Sequence, residues 1–278
     1  MTEHKAVLIA GPTASGKSSL ALTIAETLGG VIINADSMQV YRELRVLTAR
    51  PTVEDEGRVP HRLYGCVAGR DAYSAGRWLA DCAEVLHDTQ NRGFVPVIVG
   101  GTGLYFKVLF EGLSPMPDIP PDIRDYWRHK AAKLGGEQLH QILDARDPVM
   151  AARLRPSDPQ RLTRALEVLD ATGKSLGHWQ TEPGEPLLDP KDAAKIVVAP
   201  PRDVLYDRID LRVDRMLENG AIEEVKVLMA LGLPEDLPIM RALGVGAFTR
   251  YLGGALPLGD AAERVKMESR RYAKRQLT

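Results

Sequence analysis

Cysteine is almost missing from this chain: Cys66 and Cys82 are the only two in 278 residues, and no Cys-x-x-Cys pair occurs. That scarcity excludes a disulfide scaffold and a cysteine-built structural zinc, and it points to a reducing compartment. Each cysteine reads as a small buried or half-buried residue. Aromatic residues are 5% of the chain, too few for an aromatic base-stacking surface to be its main device. No apolar run approaches bilayer-spanning length. The start, Met1-Thr2-Glu3-His4-Lys5, runs into Ala6-Val7-Leu8-Ile9-Ala10 without a charged-then-apolar leader. These absences set the expectation of a soluble, cytoplasmic protein without membrane contact. An excess of one charge is missing too, since 36 Lys and Arg stand against 37 Asp and Glu for a formal net charge of −1. Any grip on phosphate must then come from a local patch.

What remains is the composition of a globular chain, 44% hydrophobic and 26% charged, long enough for a core domain carrying a smaller one. Residues 7–10 form a buried-strand run followed by a Gly-rich turn. Leu20, Ile24 and Leu28, with Ala21 and Ala25, then repeat at helical spacing from residue 17 to 28. Gly29-Gly30 stop that helix, and Val31-Ile32-Ile33 make a second strand. A helix over residues 73–91, closed by Gly93, feeds a strand at 96–99. Short β-branched runs alternating with helices predict an α/β fold of P-loop type, a parallel sheet flanked by helices.

The middle of the chain differs. Ser114-Pro115-Met116-Pro117-Asp118-Ile119-Pro120-Pro121 is a proline-dense hinge that can neither continue a helix nor fill a ladder. Residues 122–172 read as helices, 181–190 as a loop rich in Pro, Gly and acids, and 195–199 as a returning strand. The expected organisation is an α/β core of residues 1–114 and 191–278 with a mostly helical insertion of residues 115–190.

Gly11-Pro12-Thr13-Ala14-Ser15-Gly16-Lys17-Ser18 matches G-x-x-x-x-G-K-[ST], with the required strand before and helix after. In such a loop consecutive backbone N–H groups wrap a phosphate, and the helix start adds partial positive charge. Lys17 suits terminal phosphate oxygens, and the Ser18 hydroxyl suits Mg²⁺. The motif specifies a diphosphate or triphosphate, not a reaction. Hydrolases and kinases of this type place an aspartate at another strand end to help hold Mg²⁺; here residues 97–99 run into Gly100-Gly101-Thr102, with no acid. The available acid is Asp36, after the second strand. It can assist a metal, take a proton from an acceptor, or cap a turn with Ser37.

In the insertion, Asp158-Pro159 opens a helix. Leu162, Ala165, Leu166 and Leu169 fall on its apolar face, while Arg161 and Arg164 project together from the other side. That geometry suits neighbouring phosphates, or a solvated face in which Arg164 pairs with Glu167. Arg124 stands in a similar place after the hinge. Arg264, Lys266, Arg270, Arg271, Lys274 and Arg275 form a basic stripe that either tracks phosphates or is plain helix surface.

The P-loop block is followed by Asn34-Ala35-Asp36-Ser37-Met38-Gln39-Val40-Tyr41 and Gly100-Gly101-Thr102-Gly103-Leu104-Tyr105. Then come Asp158-Pro159-Gln160-Arg161-Leu162-Thr163-Arg164-Ala165-Leu166-Glu167, the stretch 208–225, and Tyr272-Ala273-Lys274-Arg275-Gln276. In this order, through nearly the whole chain, they resemble the bacterial tRNA dimethylallyltransferases. The resemblance implies dimethylallyl diphosphate as donor, Mg²⁺ as cofactor, and N6 of adenosine 37, the adenine 3′ of the tRNA anticodon, as acceptor. It implies Asp36, Lys17 and Thr13 as the catalytic set, with Thr13 and Arg208 joining the loop residues on the diphosphate. The helical insertion would grip the anticodon stem-loop. RNA contacts are then expected from Asp36, Ser37, Met38, Gln39 and Thr102 beside the target base, and from Arg124, Gln160, Arg161, Leu162, Thr163 and Arg164. Reaching N6 requires the nucleotide to leave the stack.

The chain departs from the family pattern at Leu47-Thr48-Ala49-Arg50-Pro51, where Gly-Thr-Ala-Lys-Pro is common, and at Leu243-Gly244-Val245, where Ile-Gly-Tyr is usual. It also stops at Gln276-Leu277-Thr278, where relatives continue with an aromatic and basic tail. Two other readings compete. A P-loop kinase, or an isopentenyltransferase acting on free adenine nucleotides, has no use for the helical arm; a nucleotide-binding switch leaves Asp36, Gln39 and Thr102 without a task. A monomer is expected, since no exposed apolar heptad or repeat is evident.

Overall fold

The computed structural model describes residues 5–277; residues 1–4, on which the expectation about a leader falls, and residue 278 lie outside the described residues. The apolar runs form β1 (Ala6–Ala10), β2 (Gly30–Asn34), β3 (His61–Arg62), β4 (Val95–Gly100) and β5 (Ala193–Val197). They pair in parallel in the order β3-β2-β4-β1-β5. β1 and β4, and β2 up to its last residue Asn34, are apolar because both faces are covered. On one face α1 (Lys17–Leu28) sets Ala21, Leu22 and Ala25 against Val7, Ile9, Ile32 and Val97. Its end is set by Gly29 in the left-handed region, φ 63°.

After the short, Thr52-capped α2 (Val53–Arg58), the other face is covered by α3 (Ala75–Asn91) and α4 (Gly103–Glu111). Their Trp78, Cys82, Tyr105 and Leu109 pack on Leu8, Ile33 and Ile98. Cys82 is buried there as expected, whereas Cys66 is exposed, which corrects the expectation for that residue. It lies in the loop beyond β3, where its neighbour Val67 takes the buried position. β5 begins two residues earlier than read, because Ala193 to Val197 is the segment in register with Ala6 to Ala10.

The chain divides into two compact units, and Glu111–Pro186 is one of them. It begins at 111 rather than 115, and it ends before 190 because the Leu187 and Leu188 amides donate to the Leu109 carbonyl at 3.0 and 3.3 Å, within the sheet unit. The helical unit holds α5 (Pro121–Arg146), α6 (Pro148–Ala151), α7 (Pro159–Thr172) and α8 (Leu176–Trp179). It has its own core of Trp127, Leu139, Leu143, Leu162, Ala165 and Leu166. The N-terminus of α7 is capped by Asp158, whose Oδ1 accepts from Arg161 N at 3.1 Å. Val168 completes the buried face, whereas Leu169 is only partly covered.

The sheet unit ends in α9 (Arg202–Glu218), α10 (Ala221–Ala230), α11 (Val245–Leu252) and α12 (Leu258–Gln276). Their Val213, Val225, Phe248 and Val265 enclose Val40, Tyr41, Leu44 and Leu47 from the segment after β2. Among the described residues no helix is long and apolar enough to cross a membrane.

Candidate active site

Between β1 and α1 the backbone turns through left-handed conformations at Ala14 (φ 62°) and Gly16 (φ 95°). Such alternation aims successive amides inward as an anion nest. Gly11 admits no side chain, since a Cβ would lie 2.6 Å from the Val198 carbonyl oxygen and 2.9 Å from Ser15 Oγ. Ser15 is buried, and its hydroxyl has no partner among the described residues. Pro12 is buried, Ser18 is exposed on the first turn of α1, and Lys17 Nζ donates to the Pro12 carbonyl at 3.1 Å. Burial pulls the Lys17 ammonium down to about 8; the Asp36 carboxylate opposes the fall and Arg212 adds to it.

Asp36 follows β2 and is placed by Asn34, which is fully buried. Asn34 Oδ1 accepts the Asp36 N–H at 2.8 Å, and its Nδ2 donates to the carbonyls of Asp36 and Leu63 at 2.9 and 3.0 Å. One amide thus grips both sides of the Asp36 backbone. Asp36 Oδ1 accepts from Met38 N at 2.9 Å and Gln39 N at 3.4 Å. The turn-capping reading of Asp36 is therefore present in the structure, and Oδ2 takes no part in it. Thr102 Oγ1 accepts the Ser37 N–H at 3.0 Å. Gly100 explains the missing acid at the end of β4, because a Cβ there would lie 2.0 Å from the Ala35 carbonyl oxygen. A cavity of 390 Å³ beside these groups is lined by Gly11, Ser37, Gly101, Thr102, Phe106 and Tyr272.

Arg208, on α9, donates to the Ser15 carbonyl at 3.4 Å. Sequence reasoning missed Arg212, one turn further along. It donates to Thr13 Oγ1, and to the Thr48 carbonyl at 3.4 Å. Burial lowers its pKa while Asp36 opposes the fall. The i, i+4 spacing from Arg208 was the signal that could have found it. Asn34 and Gln276 lay inside the matched blocks without being singled out as site residues.

Some expectations are corrected. Both donors of the Gln39 amide are taken by the Thr48 and Ala49 carbonyls at 2.9 Å each, so only Oε1 remains to meet a base edge. Met38 is partly buried against the cluster around Val40 and Tyr41. In the helical unit, Leu162 and Thr163 are buried and form core, not RNA-facing surface. Helical spacing turns them inward, and Thr163 Oγ1 donates to the Pro159 carbonyl at 2.7 Å. Gln160 and Arg161 are exposed on the first turn of α7, with Arg161 3.3 Å from Asp158. Arg164 pairs with Glu167 at 3.2 Å, and Arg124 donates to the Ile119 carbonyl at 3.5 Å. On α12, Arg264, Lys266 and Arg270 pair with Glu268, Asp214 and Asp210.

Nests of this kind, at the carboxyl ends of parallel strands, hold diphosphates and triphosphates; the chain is a P-loop enzyme with a carboxylate facing its phosphate cradle. It belongs to the IPP transferase family, which matches residues 39–278, and a second family, isopentenyl transferase, matches residues 4–70. A tRNA dimethylallyltransferase from Mesorhizobium japonicum is 53% identical over 98% of this chain and 85% of its own length. One from Methylocella silvestris is 52% identical over 98% of this chain and 90% of its own. Among solved structures, the tRNA isopentenylpyrophosphate transferase of Bacillus halodurans matches with TM-score 0.69 at 36% identity, over 99% of this chain and 86% of that one. A eukaryotic dimethylallyltransferase acting on tRNA matches with TM-score 0.83 at 29% identity, over 99% of this chain and 69% of that one.

Proposed function

We propose that the protein transfers a dimethylallyl group from dimethylallyl diphosphate to N6 of adenosine 37 in tRNA, as a monomer in the cytoplasm. One observation carries the reading: Gly11, which opens the phosphate loop, and Ser37 and Thr102, next to Asp36, line the same cavity, so a donor and a base can meet there. An adenine amino group is a weak nucleophile because its lone pair is delocalised into the ring, so the carbon it attacks must carry a good leaving group. N6 attacks the allylic carbon, the C–O bond breaks, and its electron pair leaves on the diphosphate. Lys17, the nest amides, Arg208 and Arg212 stand where that charge grows. Asp36 accepts the N6 proton. Thr13 orients Arg212, Gln39 Oε1 and Ser37 border the base, and Arg124, Gln160, Arg161 and Arg164 give the helical unit its polar RNA-facing groups.

Mg²⁺ fits the Ser18 hydroxyl at the nest, because this ion keeps most of its shell for water and substrate phosphate and asks little of the protein. When bound, it neutralises charge on the leaving diphosphate.

The test is transfer from labelled dimethylallyl diphosphate, with Mg²⁺, to an unmodified anticodon stem-loop, with AMP as a parallel acceptor. Asp36→Asn is the informative variant, since its Oδ1 keeps the turn bonds to Met38 and Gln39 while the proton acceptor is lost. Transfer to the stem-loop, lowered on the order of 10² to 10⁴ in kcat by the variant, is expected. Label on AMP alone would reassign the acceptor, and no transfer at all would overturn the reading.

A further inference from the structure

The α12 motif Tyr272-Ala273-Lys274-Arg275-Gln276 has no part in the chemistry above, yet its last residue reaches both halves of the site. Gln276 Oε1 accepts the Thr13 N–H at 2.9 Å, and Nε2 donates to the Gly101 carbonyl at 2.9 Å. Thr13 belongs to the phosphate nest. Gly101 precedes Thr102, which holds the Ser37 amide beside Asp36. A single side-chain amide therefore ties the donor cradle to the acceptor wall. Gly101 is matched to that tie, since a Cβ there would lie 2.2 Å from Gln276 Nε2. The amide fills both roles, whereas a carboxylate of the same length has no N–H for Gly101 and an ammonium has no acceptor for Thr13. The tie is not what fastens α12 to the fold: Ala261 and Val265 sit in the cluster with Val213 and Phe248, and Ala273 packs with Leu205 and Ile209.

We propose that Gln276 is a positioning residue for the transfer, setting the spacing between the P-loop and the Gly101–Thr102 turn and so the approach of acceptor nitrogen to allylic carbon. This rests on the prenyl-transfer reading. Displacement attack requires the reacting atoms about 3–3.5 Å apart and in line, and a misplacement of about 1 Å costs on the order of a hundredfold. Gln276 occupies the Thr13 amide itself, so its loss removes no contact to diphosphate. The defect belongs in kcat.

Two variants break the tie from opposite ends. Gln276→Met keeps the length and loses both hydrogen bonds; Gly101→Ala pushes the amide away. Each is expected to lower single-turnover transfer on the order of tenfold to a hundredfold, with KM for dimethylallyl diphosphate and for the stem-loop within about twofold of wild type. The double variant should be no worse than the more impaired single one, because both lose the same tie. Unchanged circular dichroism and a melting temperature near wild type show that the variants fold. A raised donor KM at unchanged kcat, or losses that multiply in the double variant, would overturn the proposal. Wild-type transfer, run alongside, separates this outcome from failure of the prenyl-transfer reading.

Discussion

Lys17 sits under opposed influences. Burial brings its pKa to about 8, the Asp36 carboxylate resists that fall and Arg212 deepens it. The protonated form attracts diphosphate, so the free enzyme loses donor affinity as pH rises through this value. The expected profile of kcat/KM for the donor is flat below about 7 and falls above about 8, since this ratio reports the free enzyme. In Lys17→Arg the guanidinium stays charged; the alkaline limb should disappear, with a lower plateau because the fork fits the nest differently. An unmoved limb in that variant would place the titration on another group. At this scale the P-loop was legible because its chemistry is local: contiguous amides, glycines where a side chain would collide, and a lysine at fixed spacing. Asp36 was legible as an acid and as a turn cap, read as alternatives; which amides it caps, those of Met38 and Gln39 on Oδ1, appears only in the structure.

The elements around Asp36 form a stack. Trp78 of α3 lies flat on Tyr105 of α4, centroids 4.3 Å apart at 11°, and its Nε1 donates to the Asn34 carbonyl at 2.8 Å. Asn34 in turn grips the Asp36 backbone. Trp78→Ala should destabilise the protein by about 3–5 kcal/mol, and Trp78→Phe, which keeps a ring and leaves the carbonyl unpaired, by about 1–3 kcal/mol. Denaturant unfolding gives both values. The Phe variant should also lose transfer under conditions where it remains folded, and full activity there would break the link between the stack and Asp36. Periodicity revealed α1, α3 and the central strands because each is long enough to show its repeat. It could not show β3, of two residues, nor the segment after β2, which is shaped by distant partners: Glu224 on α10 accepts the amides of Arg45, Val46 and Leu47 at 2.6, 2.6 and 3.0 Å. The two internal departures from the family pattern share one core there. Leu47 and Val245 belong to the same cluster, and a Cβ on Gly244 would lie 2.9 Å from Leu47. A larger residue at one position accompanies a smaller one at the other.

For the whole molecule, a net charge of −1 means that RNA affinity must come from a few local cations. Arg161, exposed on the helical unit, is one candidate contact. Arg161→Ala should raise KM for the stem-loop, leave donor KM unchanged, and lower the salt dependence of RNA binding by roughly 0.7–0.9 in log–log slope. An unaltered slope would remove Arg161 from the interface. The α12 stripe carries less of this burden than its sequence suggested, because Arg264, Lys266 and Arg270 already face carboxylates.

The amino-acid sequence by itself determined the α/β class, the phosphate nest and the helical character of the middle segment. Each of these is written in neighbouring residues, as a period, a glycine or a cap. Tertiary structure alone decided that Arg212 and Gln276 reach Thr13, that Asn34 holds Asp36, and that Leu162 and Thr163 turn inward. Those outcomes depend on which faces of α7, α9 and α12 are buried, and burial is settled by partners far away in the chain.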